Sequence, residues 1–183
     1  MKSDFPNLQT PRLKLRELTE NDVDVLFAMH SNSDDMQYGG AGQMTQREEA
    51  QKLIAGFAKM RQQPYTGIRW GICTHESTTL LGTCGFLKWN REWNSCLMRY
   101  ELKAEARGQG YMHEALRCAL VWAFANMNLN RIGAQIHPAN RPAIMVVEKL
   151  GFAREGLLRK AGYWDERYHD LCKYGLLKSE FYS

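Results

Sequence analysis

The residues most suited to chemistry lie in one short segment, which runs from Glu101 to Glu114. Two glycines, Gly108 and Gly110, stand between a predicted strand and an amphipathic helix, and Arg107 adds a positive charge beside them. The helix begins without a Ser, Thr, Asp or Asn cap, so its first backbone N–H groups lack partners. Such groups, with glycines that let a ligand approach closely, form an anion site suited to a pyrophosphate. A plain glycine turn is the alternative interpretation.

The spacing excludes two better-known phosphate loops. The dinucleotide fingerprint Gly-x-Gly-x-x-Gly needs a third glycine, where this chain has His113. A P-loop needs Gly-Lys-Ser or Gly-Lys-Thr, whereas Gly110 is followed by Tyr111 and Met112. The segment therefore belongs to neither of these nucleotide-binding classes.

Hydrophobic periodicity predicts the elements that must position this loop. Residues 96–103 alternate as a strand, apolar residues recur at helical spacing over 110–127, and residues 131–137 alternate again. So long a crossover predicts two parallel strands, whereas the short turns upstream predict an antiparallel meander, which gives an α+β class with a mixed sheet. The other predicted elements are strands over 12–18, 68–73, 80–89, 152–158 and 168–177, a loop over 31–43, and helices from about 23, over 46–60 and over 144–150.

Length and composition bound the class of protein. With 183 residues and no linker or repeat, we expect one domain over 1–183. No apolar run reaches the roughly 18 residues of a membrane span, and no apolar leader segment opens the chain, so we expect a cytoplasmic protein without a membrane partner. The net charge of +4 comes from dispersed side chains, which argues against a nucleic-acid partner. The five cysteines form no C-x-x-C pair, so we expect no metal.

An ordered series of motifs resembles one known family. The pentapeptide Arg-Gly-Gln-Gly-Tyr over 107–111 is similar to the Arg/Gln-x-x-Gly-x-Gly/Ala pyrophosphate loop of the GNAT acyl-CoA N-acyltransferases. The opening Thr10-Pro11-Arg12-Leu13 is similar to the first strand of the branch that contains the RimJ/RimL-type ribosomal-protein N-terminal acetyltransferases. Further motifs follow in the order and spacing of that branch: Asn130-Arg131-Ile132, His137-Pro138-Ala139-Asn140, Glu148-Lys149-Leu150-Gly151-Phe152, Glu155-Gly156 and Asp170. The resemblance covers about residues 9–178.

The resemblance implies a GNAT-like fold, in which a mostly antiparallel mixed sheet contains a central, splayed parallel strand pair and is flanked by helices. It implies acetyl-CoA-dependent transfer to an amine, either a protein N-terminal α-amine such as that of a ribosomal protein or a small-molecule amine, without a metal. The pantetheine would lie between the splayed strands and bond to the backbone near Leu102. The pyrophosphate would lie on the cofactor-binding loop, whose residues are Arg107, Gly108, Gln109, Gly110, Tyr111, Met112 and His113. A homodimer is compatible with the sequence, which carries no signal for oligomeric state.

Glu101 and Asn140 are the candidate catalytic residues. Glu101 lies on the strand that leads into the loop, where it could act as a base on the amine directly or through water. Its alternative role is pairing with Arg99 and Lys103. Asn140 follows the second parallel strand, where it could bind acetyl-CoA or orient water. Its alternative role is a helix cap before Ala143.

The chain departs from the family's pattern where the usual acid is found. Ala143 stands where relatives often carry a serine, and Val147 where other GNAT enzymes carry a tyrosine, each proposed to protonate the departing thiolate. Met112 replaces the Gly or Ala of the broader consensus, and residues 164–167 lack the glycine often found in the last hairpin turn. A thiol like that of Cys has a pKa near 8.5, so its thiolate can leave without an acid. Because both usual acids are missing, the alternative function is an acyl-CoA-binding or regulatory module with lost or weak catalysis.

The remaining candidates carry weaker signals. His113 could contact phosphate or simply start the helix, and Asp170 favours a structural hydrogen bond. Tyr38, Trp89 and Trp93 are candidate walls of an acceptor cleft, although aromatic residues at strand ends more often serve packing. No motif identifies the acceptor.

Overall fold

An eight-stranded mixed sheet forms the centre of the computed structural model, which describes residues 5–32, 37–40, 42–62 and 64–182. Its strand order is β1-β2-β3-β4-β5-β6-β8-β7, and every neighbouring pair is antiparallel except β5 and β6. The predicted fold class is therefore confirmed. The strands are β1 (Leu8–Gln9), β2 (Leu13–Arg16), β3 (Ile68–Thr74), β4 (Gly82–Asn90), β5 (Ser95–Leu102), β6 (Arg131–Ile136), β7 (Ala153–Trp164) and β8 (Arg167–Leu177).

Helices cover both faces of this sheet. They are α1 (Val23–Ser31), α2 (Arg47–Lys59), α3 (Tyr111–Asn126), α4 (Arg141–Lys149) and α5 (Lys178–Phe181), with short 3-10 turns over Glu20–Asp22 and Ala104–Ala106. Among the described residues, no helix has the length and apolar character needed to cross a membrane.

Alternating side chains of the strands separate two cores. On β3, Ile68, Trp70 and Ile72 belong to the larger core, which also contains the buried stripe of α3 and the inner side of α4. Gly71, between them, faces Leu18 and Leu80 in the smaller core beneath α1 and α2. Helices α1 and α2 therefore lie on one face of the sheet, and α3 and α4 on the other.

The two parallel strands part soon after they meet. They pair over only three residues, which on β5 run from Ser95 to Leu97. Strand β5 continues to Leu102 and stays paired with β4, but no residue of β6 beyond Gly133 pairs with it. The edge of β5 over 98–102 consequently has no strand partner on the β6 side. This opening confirms the splayed pair that the resemblance implies.

The short helix α4 begins three residues earlier than predicted. The side chain of Asn140 accepts a hydrogen bond from the backbone N–H of Ala143, and Pro142 occupies the first turn. A capping side chain favours a helix start because it accepts from one of the first N–H groups, which have no partner within the helix. Proline suits the first turn because the N–H that it lacks would have no helical partner there. The pattern of apolar residues alone pointed to residue 144.

The last hairpin is longer than predicted and turns without glycine. Strands β7 and β8 remain paired to Trp164 and Arg167, with Asp165 and Glu166 between them. Both turn residues have left-handed backbone angles, with φ of 48° and 59°. A two-residue turn needs such angles to follow the twist of the strands, and glycine normally supplies them. Here non-glycine residues carry that strain.

Other boundaries agree with the prediction within a few residues, with two additions. The short strand β1 and the C-terminal helix α5 were not predicted from the sequence. The predicted loop over 31–43 includes residues 33–36 and 41, which lie outside the described residues.

Candidate functional site

A run of unpartnered backbone N–H groups follows the end of β5. Gly108 and Gly110 adopt left-handed angles, with φ of 76° and 78°, and Gly110 is the N-cap of α3 without a side-chain cap. In the described part of the chain, no group accepts a hydrogen bond from the backbone N–H of any residue from Gly108 to His113. The uncapped start predicted from the sequence is thus confirmed. Six successive donors at the positive end of a helix dipole can bind an anion.

Arg12 braces this loop from outside. Its Nε lies 2.6 Å from Glu114 Oε2, its Nη1 donates to the backbone oxygen of Gln109 at 3.0 Å, and its guanidinium lies 4.8 Å from the centre of the Tyr111 ring. Thr10 Oγ1 donates to the other oxygen of Glu114 at 2.6 Å. These contacts, with burial opposing them, lower the pKa of Glu114. Arg12 was not predicted to have this role, although it belongs to the motif Thr10-Pro11-Arg12-Leu13 on which the family resemblance partly rests.

Two side chains of the loop bond back to its own backbone. Arg107 Nε donates to the backbone oxygen of Leu102 at 3.1 Å, which ties the loop to the end of β5. Gln109 Nε2 donates to the backbone oxygen of Glu105 at 3.1 Å. Both side chains are exposed, and Arg107 immediately precedes the free N–H groups in sequence. Contact between Arg107 and phosphate stays a prediction.

Met112 is compatible with a ligand on this loop. Its side chain is buried in the core under α3, with 5% exposure. Because the side chain is buried, Met112 contributes to the loop through its backbone N–H, which any residue other than proline would provide. The departure from Gly or Ala at this position therefore leaves the backbone donors in place.

Glu101 is held in a cluster of polar side chains on the α1 face of the sheet. Its Oε1 accepts hydrogen bonds from Thr83 Oγ1 at 2.7 Å and from Arg69 Nη2 at 3.1 Å. Its Oε2 lies 3.0 Å from Nε2 of His30 on α1. These partners replace the predicted pairing with Arg99 and Lys103. None of the three was singled out from the sequence.

The cluster keeps the Glu101 carboxylate ionised. Burial alone would raise its pKa, but the contact with His30, the charge of Arg69 and the Thr83 hydroxyl outweigh burial and lower the pKa to about 2. A carboxylate with so low a pKa is a weak proton acceptor at neutral pH. It remains a fixed negative charge, and 27% of its side chain is exposed. Such a charge can bind an ammonium group or orient a water molecule.

The start of α4 closes the opposite side of the split. Asn140 Oδ1 caps the helix through the N–H of Ala143 at 3.2 Å, so its alternative role as a cap is present. Its Nδ2 has no acceptor in the described ranges and remains available to a ligand. Tyr100, on β5, donates its hydroxyl hydrogen to the backbone oxygen of Ala143 at 2.8 Å. Neither Ala143 nor Val147 carries a side chain that can donate a proton, and Val147 is fully buried.

Aromatic rings stand on the β6 side of the opening. Counted from the last paired residues, Leu97 and Gly133, Glu101 and His137 are each four residues further along their chain segments. Tyr38 stacks on His137 at a ring distance of 4.8 Å, and Trp164 stacks on buried His169 at 3.7 Å. The role of Tyr38 as a cleft wall stays a prediction.

The His137 ring is neutral at physiological pH. Burial lowers its pKa, as do the neighbouring His169 and Arg167, while Asp170 opposes them. The N–H of Ala139 donates to His137 Nδ1 at 3.1 Å, so the ring proton is assigned to Nε2. His137 is therefore a neutral hydrogen-bond donor at this end of the split.

Three further candidates do not join the site. Trp89, near the end of β4, and Trp93, in the β4–β5 turn, lie at the end of β5 opposite Leu102, away from the cofactor-binding loop. Seven residue steps of an extended strand separate those ends by about 23 Å. Asp170 Oδ1 accepts a hydrogen bond from the backbone N–H of Lys160 at 2.8 Å, which confirms its structural role.

The cysteines are free thiols with little exposure. Four of the five are buried, and all five are free. Burial raises the pKa of Cys84 and of Cys96 to about 12. Within the described ranges, no group of three or more His, Cys, Asp or Glu side chains is arranged to hold a metal ion.

Comparison with known proteins identifies close relatives in sequence. Residues 12–153 match the family described as acetyltransferase (GNAT) domain. The chain is 33% identical over 174 residues to the uncharacterized N-acetyltransferase YoaA of Bacillus subtilis (strain 168), which covers 95% of this chain and 98% of the relative.

Solved structures share the fold. A spermidine N-acetyltransferase from Vibrio cholerae, in complex with CoA and spermine, matches with a TM-score of 0.83 and 21% identity over 95% of this chain and 100% of that one. An acetyl transferase from Salmonella typhimurium that modifies the N-terminal serine of the 50S ribosomal subunit protein L7/L12 matches with a TM-score of 0.83 and 20% identity, over 94% and 99%. At these identities the likeness is one of fold.

Proposed function

Because the chain belongs to the GNAT acetyltransferase family and is an acyltransferase, we propose that its loop over 108–113 binds the pyrophosphate of acetyl-CoA for direct acetyl transfer to an amine. One observation carries this proposal. The backbone N–H groups from Gly108 to His113 lack acceptors among the described residues, and they follow the end of β5, the strand that parts from β6 after Leu97. Unpartnered N–H groups at the N-terminus of a helix attract an anion, and a diphosphate has enough oxygens to accept from several of them at once.

The unpaired edge of β5 would hold the pantetheine. Its backbone groups over 98–102 have no strand partner on the β6 side, so an extended amide chain can bond to them as a strand would. Leu102 ends this edge, next to the loop. Arg107, tied to Leu102, places a positive charge where the phosphates would lie. On the other side of the split, Asn140 would donate its Nδ2 hydrogens to the bound thioester arm.

Catalysis would rest mainly on positioning the amine against the thioester, which acetyl-CoA supplies when bound. Glu101 would hold the acceptor's ammonium or a water molecule that accepts its proton, because its own pKa of about 2 makes it a weak base. An α-amine with a pKa of 7.7–8.0 is roughly a tenth neutral at pH 7, so it needs little help from a base. A lysine-like amine, with a pKa near 10.4, would need far more.

The acceptor would be a protein N-terminal α-amine, such as that of a ribosomal protein, or a small-molecule amine. Two fold neighbours act on these two kinds of acceptor, spermidine in one case and an N-terminal serine in the other. In this chain Glu101 supplies a negative charge on the β5 side of the split, and His137 follows β6 on the other side, where burial lowers its pKa. Both features suit a cationic or neutral amine that enters from the α1 face.

The test is a calorimetric titration with acetyl-CoA, followed by measurement of CoA thiol release with a panel of N-terminal peptides, polyamines and aminoglycosides. We expect binding and a release rate that depends on an added amine. Tight binding without turnover on any amine would support the alternative, an acyl-CoA-binding module. The reason for that alternative is that neither Ala143 nor Val147 supplies the side-chain acid that relatives carry at these positions. Failure to bind acetyl-CoA would contradict both.

We also propose a cytoplasmic location. All five cysteines are free thiols, which is typical of a reducing compartment. Fractionation of the native host, with the protein recovered outside the cytoplasmic fraction, would contradict this proposal.

A further inference from the structure

A groove of about 780 Å³ adjoins the cofactor-binding loop on the outer face of α3. Gly110 and His113 of the loop line it, together with Arg117 one turn further along the helix. Residues 9–12 form one wall, and Lys149 at the end of α4 contributes to its lining. We call this feature the α3 groove. It lies on the face of the sheet opposite α1 and α2.

Positive charge in the α3 groove exceeds negative charge. Arg117 and Lys149 are exposed, and neither forms an ion pair with a residue that the structure describes. Among the described lining residues, Glu114 is the one carboxylate, and its charge is compensated by Arg12 at 2.6 Å. Two cations thus remain without a counter-charge beside the loop. Such a pair favours an anion that carries more than one negative charge.

We infer that Arg117 and Lys149 bind the 3′-phosphate of the CoA ribose, a step that rests on the proposed function. Arg117 follows Gly110 by seven residues, about 10 Å along the helix axis. Helical side chains point back toward the N-terminus, so its guanidinium lies over the turn of His113. Because Gly110 and His113 line the same groove, Arg117 and the loop border one surface. A guanidinium binds phosphate through two parallel hydrogen bonds, and the Lys149 ammonium adds a second charge.

The chemistry of the ligand end follows from this arrangement. A phosphate monoester carries between one and two negative charges at neutral pH, and its three terminal oxygens accept several hydrogen bonds. Acetyl-3′-dephospho-CoA keeps the pyrophosphate, pantetheine and thioester but lacks this group. The α3 groove would therefore discriminate between the two thioesters, whereas the loop would bind both.

The experiment measures dissociation constants of both thioesters by calorimetry on three forms of the full chain. These are the wild type, the double variant Arg117→Gln/Lys149→Gln, and the control Lys52→Gln/Lys59→Gln, which removes two charges from α2 on the opposite face. Circular dichroism checks that each variant is folded. We expect the wild type and the control to bind acetyl-CoA about tenfold or more tightly than the dephospho compound, since charge-assisted hydrogen bonds carry this discrimination. The double variant should bind both thioesters with the affinity of the wild type for the dephospho compound.

Several results would overturn the inference without touching the proposed function. Equal binding of the two thioesters by the wild type would show that the 3′-phosphate has no site here. Equal weakening of both thioesters in the double variant would show only a general charge effect. Competition by inorganic phosphate at millimolar concentration would assign the groove to free phosphate instead. If acetyl-CoA does not bind to the wild type at all, the proposed function fails and the subsite fails with it.

Discussion

Replacing Glu101 by glutamine should remove a pH-dependent part of the free energy of unfolding. In the folded chain, Thr83, Arg69 and His30 lower the pKa of this carboxyl from the usual 4.5 to about 2. Because the folded-state pKa lies below the unfolded one, the charge stabilises the fold above about pH 4.5. That stabilisation is lost as the pH falls toward 2. The amide of Glu101→Gln does not titrate, so the variant lacks this slope.

The magnitude follows from the two pKa values. A difference of about 2.5 pKa units corresponds to about 3 kcal/mol at pH 6, because each unit is worth 1.36 kcal/mol. At pH 3 the same linkage leaves about 1 kcal/mol, so about 2 kcal/mol is lost between pH 6 and pH 3. With 27% of its side chain exposed, Glu101 is only partly screened by solvent. The variant should also be destabilised at pH 6, since it leaves buried Arg69 without its counter-charge.

The assay is urea unfolding followed by circular dichroism at pH 6, 5, 4 and 3. The stability difference between wild type and Glu101→Gln should shrink by about 2 kcal/mol over this range. The matched control is Glu105→Gln, which removes an exposed carboxylate from the following 3-10 turn. Its free energy of unfolding should change with pH as that of the wild type does. If the stability difference between the wild type and Glu101→Gln stays constant with pH, the reasoning is refuted. The Glu101 carboxyl would then have the same pKa in the folded and unfolded states.

Three further substitutions test other parts of the structure. Arg107→Glu should weaken acetyl-CoA binding about tenfold or more in calorimetry by reversing the charge beside the phosphates, and an affinity equal to that of the exposed control Arg159→Glu would count against the loop. Asn140→Ala should lower the free energy of unfolding by about 1 kcal/mol through loss of the α4 cap, and an unchanged urea midpoint would show that the cap contributes nothing. Glu166→Gly should raise that free energy by about 0.5–1 kcal/mol by relieving a left-handed backbone angle in the last hairpin, and destabilisation would contradict the strain argument.

Local patterns in the sequence predicted the part of the site that is made of backbone. The change of period between residues 96–103 and 110–127 placed a strand end beside a helix start, and two glycines without a cap indicated free N–H groups. The structure has Gly110 as an uncapped N-cap of α3, as that pattern predicts. Each of these signals lies within about fifteen residues, where spacing translates directly into geometry.

Side-chain partners across the sheet could not be predicted in the same way. The alternative role of Glu101 was pairing with neighbours on its own strand, but its partners Arg69 and Thr83 lie 32 and 18 residues away in sequence. Arg12 braces the loop through Glu114 from a distance of 102 residues. Such contacts depend on strand order and register, which a single sequence does not state. Whether Trp89 and Trp93 lie near the loop could not be predicted for the same reason, since that requires knowing which end of β5 opens.

Hydrogen–deuterium exchange of the backbone amides, with and without saturating acetyl-CoA, tests the central claim most directly. The claim is that the N–H groups from Gly108 to His113, which have no acceptor in the described structure, receive the pyrophosphate at the split between β5 and β6. We predict that acetyl-CoA slows exchange at these six amides and along the β5 edge over 98–102, while α2 is unchanged. Binding of acetyl-CoA that leaves exchange over 108–113 as fast as in the free chain would contradict the account.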